Sequence, residues 1–196
     1  MKLVVGLGNP GAEYLNTPHN VGYQVVEAMA ARESATFKQQ TRFRALTARV
    51  GQPTLDVLLA KPVTFMNRSG SAVSLMLQFY KSEPSDVLVV VDDVNLALGR
   101  LRIRPNGRSG GHRGLESIIE TLGTDDFARV RVGVGEARRG KNLVSHVLSP
   151  FKGDSLVQFE EATMLAADAV ICCIEQDVNV AMNTYNGRTI EDDESA

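Results

Sequence analysis

Little in this chain invites redox or metal chemistry. Only two cysteines occur in 196 residues, and they are neighbours, Cys172 and Cys173. Adjacent cysteines do not reach the geometry of an ordinary structural disulfide. They also lack the CxxC spacing of a metal or redox pair, so they read as small apolar fillers on a late helix. No run of about 18 apolar residues is present, which excludes a membrane-spanning helix. The opening Met1-Lys2-Leu3-Val4-Val5-Gly6 is interrupted too soon for a signal peptide, and a cytoplasmic protein is expected. There is no internal repeat, and neither a cysteine nor a serine elbow is expected to act as nucleophile. Histidine is scarce as well: His19, His112 and His146 are the three.

Charge is unevenly spread. The formal net charge is −2, yet 100–141 carries ten Arg or Lys against five Asp or Glu. From 154 to 196 ten acids face the single base Arg188. Fifteen of the 21 basic residues are arginine, the type that grips phosphate through two parallel hydrogen bonds. A basic stretch on a mildly acidic chain suggests a local polyanion site, with solvated surface charge as the bland alternative.

Apolar runs at 3–7 and 87–91 have the pattern of strands buried on both faces. Further strands are expected near 44–50, 55–61, 101–104 and 130–134, with 44–50 and 55–61 separated by the turn-prone Gly51-Gln52-Pro53. Helical periods cover 19–32, 69–80, 113–122 and 155–176. Alternating strands and helices predict one α/β domain over 1–186 around a mixed, mostly parallel sheet. An acidic tail, 187–196, is expected to be disordered.

Gly6-Leu7-Gly8-Asn9-Pro10-Gly11 spells GxGxxG directly after a strand. In a dinucleotide-binding fold that motif opens a helix facing the pyrophosphate. Here Pro10 sits inside it, and Pro18 arrives before any helical period begins. The glycines are better read as shaping a tight loop that presents the Asn9 amide. Ligands in open α/β sheets sit at the carboxyl ends of strands. Asn9, His19, Asn67 and Asp92 all fall at or near such ends. Together they offer a base, a carboxylate to orient it and two amide donors, a set suited to water attack on an ester. Singly, each has a plain reading as a cap, a turn residue or a satisfied polar group. His112 and His146, in a glycine-rich loop and near a late helix, have no evident claim on Asp92.

Several ordered motifs are more specific. They are Gly6-Leu7-Gly8-Asn9-Pro10-Gly11 with Tyr14, Thr17-x-His19-Asn20-Val21-Gly22, and Lys61-Pro62-x-Thr64-Phe65-Met66-Asn67-x-Ser69-Gly70. Asp92-Asp93, Gly110-Gly111-His112-x-Gly114-Leu115-x-Ser117-Ile118 and Arg129-Val130-Arg131-Val132-Gly133-Val134-Gly135 complete the series. In these residues the chain resembles the bacterial-type peptidyl-tRNA hydrolases over nearly its whole length. The resemblance implies a monomeric, metal-free and cofactor-free enzyme with a C-terminal helix and a lid loop at 142–151. It implies cleavage of the ester between a peptidyl (N-blocked aminoacyl) group and the 3′ ribose of tRNA, with the acceptor stem and 3′ end as partner. His19 would be the base, Asp92 its orienting partner and Asn9 an oxyanion donor. Tyr14, Met66, Asn67, Gly111, His112 and Arg113 would meet the substrate, and Arg104 and Arg131 the 5′-phosphate. Two positions depart from the family pattern: Pro18 replaces the usual arginine, and Arg113 replaces an asparagine whose role is not carried over. A non-catalytic RNA-binding protein on the same scaffold is the alternative.

Overall fold

A computed structural model of the chain describes residues 1–51, 56–135 and 143–188. Among them, seven strands form one mixed sheet in the order β2-β3-β4-β1-β5-β7-β6. The strands are β1 (Lys2–Gly6), β2 (Lys38–Gln40), β3 (Ala45–Val50), β4 (Val57–Pro62), β5 (Val87–Asp93), β6 (Leu101–Arg104) and β7 (Ala128–Gly133). Strands β4, β1, β5 and β7 run parallel, while β2, β3 and β6 pair antiparallel at the two edges. The helices are α1 (Val21–Arg32), α2 (Ser69–Tyr80), α3 (Arg113–Leu122), α4 (Leu143–Val147), α5 (Asp154–Glu175) and α6 (Val178–Tyr185). The expected single α/β domain is thus the one observed.

Strand alternation divides the core into two layers. Val4, Leu59, Val90 and Val130 face α1 and α5, whereas Leu3, Val5, Leu58 and Val89 face α2 and α3. Central strands covered on both faces need apolar residues at every position, which is why β1 and β5 read as continuous runs. Helix α1 leaves β1 on one face and α2 leaves β4 on the other. A crevice therefore opens above the carboxyl ends of β4, β1 and β5.

Three elements lie outside the sequence expectations. Strand β2 is three polar, mostly exposed residues at a sheet edge, with no apolar period to detect. The short α4 lies within the expected lid segment, of which Asn142 lies outside the described residues. Helix α6 starts where the Asp177 carboxylate accepts from the N–H groups of Asn179 and Val180, at 2.6 and 2.8 Å. Past it, the Asn186 side chain pairs with both backbone groups of Ile103 and so covers part of the exposed edge of β6. Most of the acidic tail, 189–196, and the turn residues 52–55 also lie outside the described residues. No described helix is long and apolar enough to cross a membrane.

The glycine motif acts through close packing, as its prolines suggest. A Cβ on Gly6 would lie 2.0 Å from the Gly22 carbonyl oxygen, and one on Gly8 2.7 Å from the Tyr23 ring. One on Gly22 would lie 2.3 Å from the Leu7 nitrogen and 2.4 Å from the Val90 oxygen. The Gly6 and Gly22 contacts are with backbone, so the start of α1 is pressed onto the ends of β1 and β5 at a distance only glycine permits. Helix α1 proper begins at Val21 rather than at His19. The residues Pro18–Asn20 form a 3-10 turn, and the Asn20 side chain is committed to the backbone of Asn9. We expect Gly22→Ala to cost about 1–3 kcal/mol by overpacking. Urea unfolding checks this, and an unchanged midpoint would contradict the packing account.

Candidate active site

Asn9 is held at three points. Its N–H donates to the Asn20 side-chain oxygen at 2.8 Å, and its carbonyl accepts from Asn20 Nδ2 at 3.0 Å. Asn20 is 2% exposed and functions as an internal splint for the loop. The third point is Asn9 Oδ1, which accepts from the Met66 N–H at 3.1 Å. That bond orients the amide and leaves Nδ2 a donor with no partner among the described residues. The end of β1, the start of α1 and the 3-10 turn Met66–Arg68 are thereby fixed to one another.

Asp92, 3% exposed near the end of β5, receives two imidazoles on one oxygen. His19 Nδ1 lies 2.8 Å and His112 Nε2 3.0 Å from Asp92 Oδ1, with the two rings 5.1 Å apart. Burial alone would raise the carboxyl pKa, but the two imidazoles, His112 foremost, outweigh it and hold Asp92 well below the usual carboxylate range. His112 also caps α3, its Nδ1 accepting from the N–H groups of Gly114 and Leu115 at 3.1 and 3.3 Å. With that lone pair occupied, the ring proton must sit on Nε2 and point at Asp92. His19 correspondingly donates from Nδ1, leaving Nε2 with its lone pair and no partner among the described residues.

The expectation that His112 lies apart from Asp92 is therefore corrected. Gly110 and Gly111, at φ of 61° and 82°, turn the chain so that the residue after them enters the site. The letters GxSxG do occur, in Gly107-Arg108-Ser109-Gly110-Gly111, and sequence reasoning passed over them. This segment follows β6 as a loop rather than forming a strand-to-helix elbow, and the Ser109 hydroxyl accepts from the Gly111 N–H at 3.3 Å. No histidine bonds that hydroxyl.

His19, Asp92 and His112 bring three potential ligand atoms within 4.8 Å of one another. Their chemistry does not fit a cation. To ligate through Nε2, His112 would have to move its proton to Nδ1 and abandon both backbone donors at the start of α3.

A cleft of about 750 Å³ opens over this pair. Asn9, His19, Met66, Asn67, Asp92, Gly111, His112, Arg113 and Arg131 are among its lining residues. Tyr14, half-buried in a 3-10 turn, and Arg104, on β6, lie outside its lining. Arg131 is pinned, bonding Asp93 at 3.2 Å and the carbonyls of Arg108 and Ser109 at 3.1 and 2.8 Å. Arg129 is 1% exposed and bonds the carbonyls of Phe127, Asp125 and Gly107. Burial, aided by the Arg131 charge, pulls its pKa down to about 10.

Strand register pairs Arg102 with Arg131 and Arg104 with Arg129, so all four arginines share one sheet face. Arg102 and Arg104 are its exposed members. Sequence reasoning passed over Arg102, although the alternation in Leu101-Arg102-Ile103-Arg104 carried the signal. It also passed over Arg68, and it gave no role to Asn20 or to Phe65, which is 63% exposed on the cleft wall. From the expected lid, Val147 and Leu148 reach the cleft, while His146 Nε2 lies 3.0 Å from the Gly135 carbonyl.

Comparison with known proteins agrees with this arrangement. The family model for peptidyl-tRNA hydrolase matches residues 3–193. A peptidyl-tRNA hydrolase of Clostridium perfringens is 40% identical over 191 residues, covering 97% of this chain and all of the relative. One from Desulforudis audaxviator is 44% identical over 189 residues, 95% of this chain and 93% of the relative. Among solved structures, peptidyl-tRNA hydrolase from Acinetobacter baumannii superposes with a TM-score of 0.90 at 33% identity, covering 97% of this chain and 96% of that one. Sequence, fold and cleft converge, and the chain belongs to the peptidyl-tRNA hydrolase family.

Proposed function

We propose that the chain hydrolyses the ester joining a peptidyl, or N-blocked aminoacyl, group to the 3′ ribose of tRNA. It would act as a cytoplasmic monomer that returns tRNA to use. The observation that carries this reading is the His19–Asp92 pair opening onto a cleft beside the Asn9 amide donor. His19 Nε2 takes a proton from water as the water oxygen attacks the ester carbonyl. Asn9 Nδ2, with Asn67 nearby, stabilises the oxyanion of the tetrahedral intermediate. Collapse breaks the bond to the ribose oxygen, which leaves with the proton His19 has carried. Asp92 stabilises the imidazolium in between, and His112 keeps Asp92 in place. Met66 and Gly111 shape the walls, Tyr14 supports the loop behind them, and the lid segment closes over the acceptor end.

Exposed Arg102 and Arg104 suit phosphates of the acceptor stem, which position RNA without reading its sequence. Arg131, committed to Asp93 and two carbonyls, supports the glycine loop and adds charge behind that face.

His19→Ala is expected to lower turnover of N-acetyl-aminoacyl-tRNA by about 10²–10⁴-fold while tRNA binding persists. Near-normal turnover would sink the mechanism. Asp92→Asn is expected to cost about 10³-fold in kcat, since its amide cannot replace a charge shared by two rings. Because the folded pKa of Asp92 is depressed, its contribution to stability is present above about pH 3.9 and is lost as pH falls through the folded value. Urea unfolding between about pH 2 and 5 should show part of that acid loss missing in Asp92→Asn. An identical loss in both proteins would contradict the shared-carboxylate account. Arg104→Glu is expected to weaken tRNA binding and to flatten the logarithmic salt slope by about one. An unchanged slope would return Arg104 to ordinary solvated surface.

A further inference from the structure

The cleft holds two arginines that the mechanism above does not use. Arg113 is the first residue of α3 and Arg68 is the N-cap of α2, and both are exposed on the cleft lining. Neither has a hydrogen-bond or ion-pair partner for its guanidinium among the described residues. Each sits at the positive end of a helix, where a cation is repelled rather than stabilised. The first turn of α2 contains no acid to offset this.

The carboxylates lining the cleft are already committed. Asp92 is shared by His19 and His112, and Asp93 bonds Arg131 and Asn95. One wall therefore carries positive charge from two guanidiniums and from the start of α2, while at α3 only Glu116 lies in the first turn, without an ion pair to Arg113. The two arginines also lie on touching turns. A Cβ on Gly114 would come within 2.6 Å of Met66 Sδ, so the start of α3 packs directly on the Met66–Arg68 turn. Arg113 and Arg68 each lie within two residues of that contact.

Accepting the hydrolase reading, the ester carbon must lie between His19 and Asn9. The nearest anion in such a substrate is the phosphodiester on the 5′ side of the terminal nucleotide, one ribose away. Arg113 directly follows His112, whose ring is 5.1 Å from that of His19, and all three residues line the same cleft. We propose that Arg113, assisted by Arg68, grips the phosphodiester between the last two nucleotides of the substrate and so registers the ester against His19. A planar guanidinium fits this task through two parallel N–H bonds to phosphate oxygens.

The test uses N-acetyl-aminoacyl-CpA dinucleotides whose single linkage is either a phosphodiester or an uncharged methylphosphonate. The wild-type chain should favour the charged linkage about tenfold in kcat/KM, mostly through KM, and salt should erode the preference. Arg113→Asn should bring that ratio close to one whatever its overall rate. Arg113→Lys should restore part of it, and Arg68→Gln should reduce it less. A wild-type ratio retained by Arg113→Asn would overturn the assignment. So would a wild-type chain that cleaves both substrates equally. Cleavage of neither by the wild type would overturn the hydrolase reading itself, and this assignment with it.

Discussion

A buried carboxylate remains charged only where its surroundings supply what water would have supplied. At Asp92 the supply is two imidazole N–H groups on a single oxygen, at 2.8 and 3.0 Å. Much else in the molecule serves that meeting. Strand β5 carries Asp92 to the floor of the cleft, and glycine contacts press α1 down so that His19 arrives beside it. Two left-handed glycines turn the chain so that His112 arrives from the opposite side. His112 is bound on both ring nitrogens, to α3 and to Asp92, which makes it a strut between a helix end and a strand end. Among the described residues, His19 is bound on one nitrogen only. The same carboxylate thus holds one histidine inert and leaves the other available as a base.

How legible this was depended on the range of the forces involved. Strands β1 and β5 could be read directly because burial on both faces demands apolar residues throughout. The GxGxxG letters were correctly set aside on local grounds, since Pro10 and Pro18 forbid the helix that the motif needs. The four polar residues at strand ends were found from topology alone, and the structure brings Asn9, His19, Asn67 and Asp92 into one cleft. What escaped were partnerships set by a loop's path. Nothing in the local sequence around His112 states that positive-φ glycines deliver it to Asp92. Nor does the sequence around Asn20 state that its amide splints Asn9. Strand β2 and helix α6 escaped for a different reason: one is too short and polar to show a period, and the other depends on docking against β6.

The arginines show how far one residue type can diverge in use. Arg129 is buried among carbonyls and stacks on Phe127, a structural part that holds the turns around the glycine loop. Arg131 is tied to Asp93 and to that loop. Arg102 and Arg104 stand exposed on the same sheet face, and Arg68 and Arg113 line the cleft with no partner among the described residues. Counting charges along the chain suggested a polyanion site but could not sort these roles. Register and burial do, because a guanidinium already saturated by carbonyls has little left to offer a phosphate.

The central claim is that water, activated at His19, attacks the acyl carbon directly. Hydrolysis of N-acetyl-aminoacyl-tRNA in isotopically labelled water tests it most directly. The account predicts one labelled oxygen in the released peptide carboxylate and none at the tRNA 3′ hydroxyl. Label in the tRNA, or no release of tRNA at all, would contradict it.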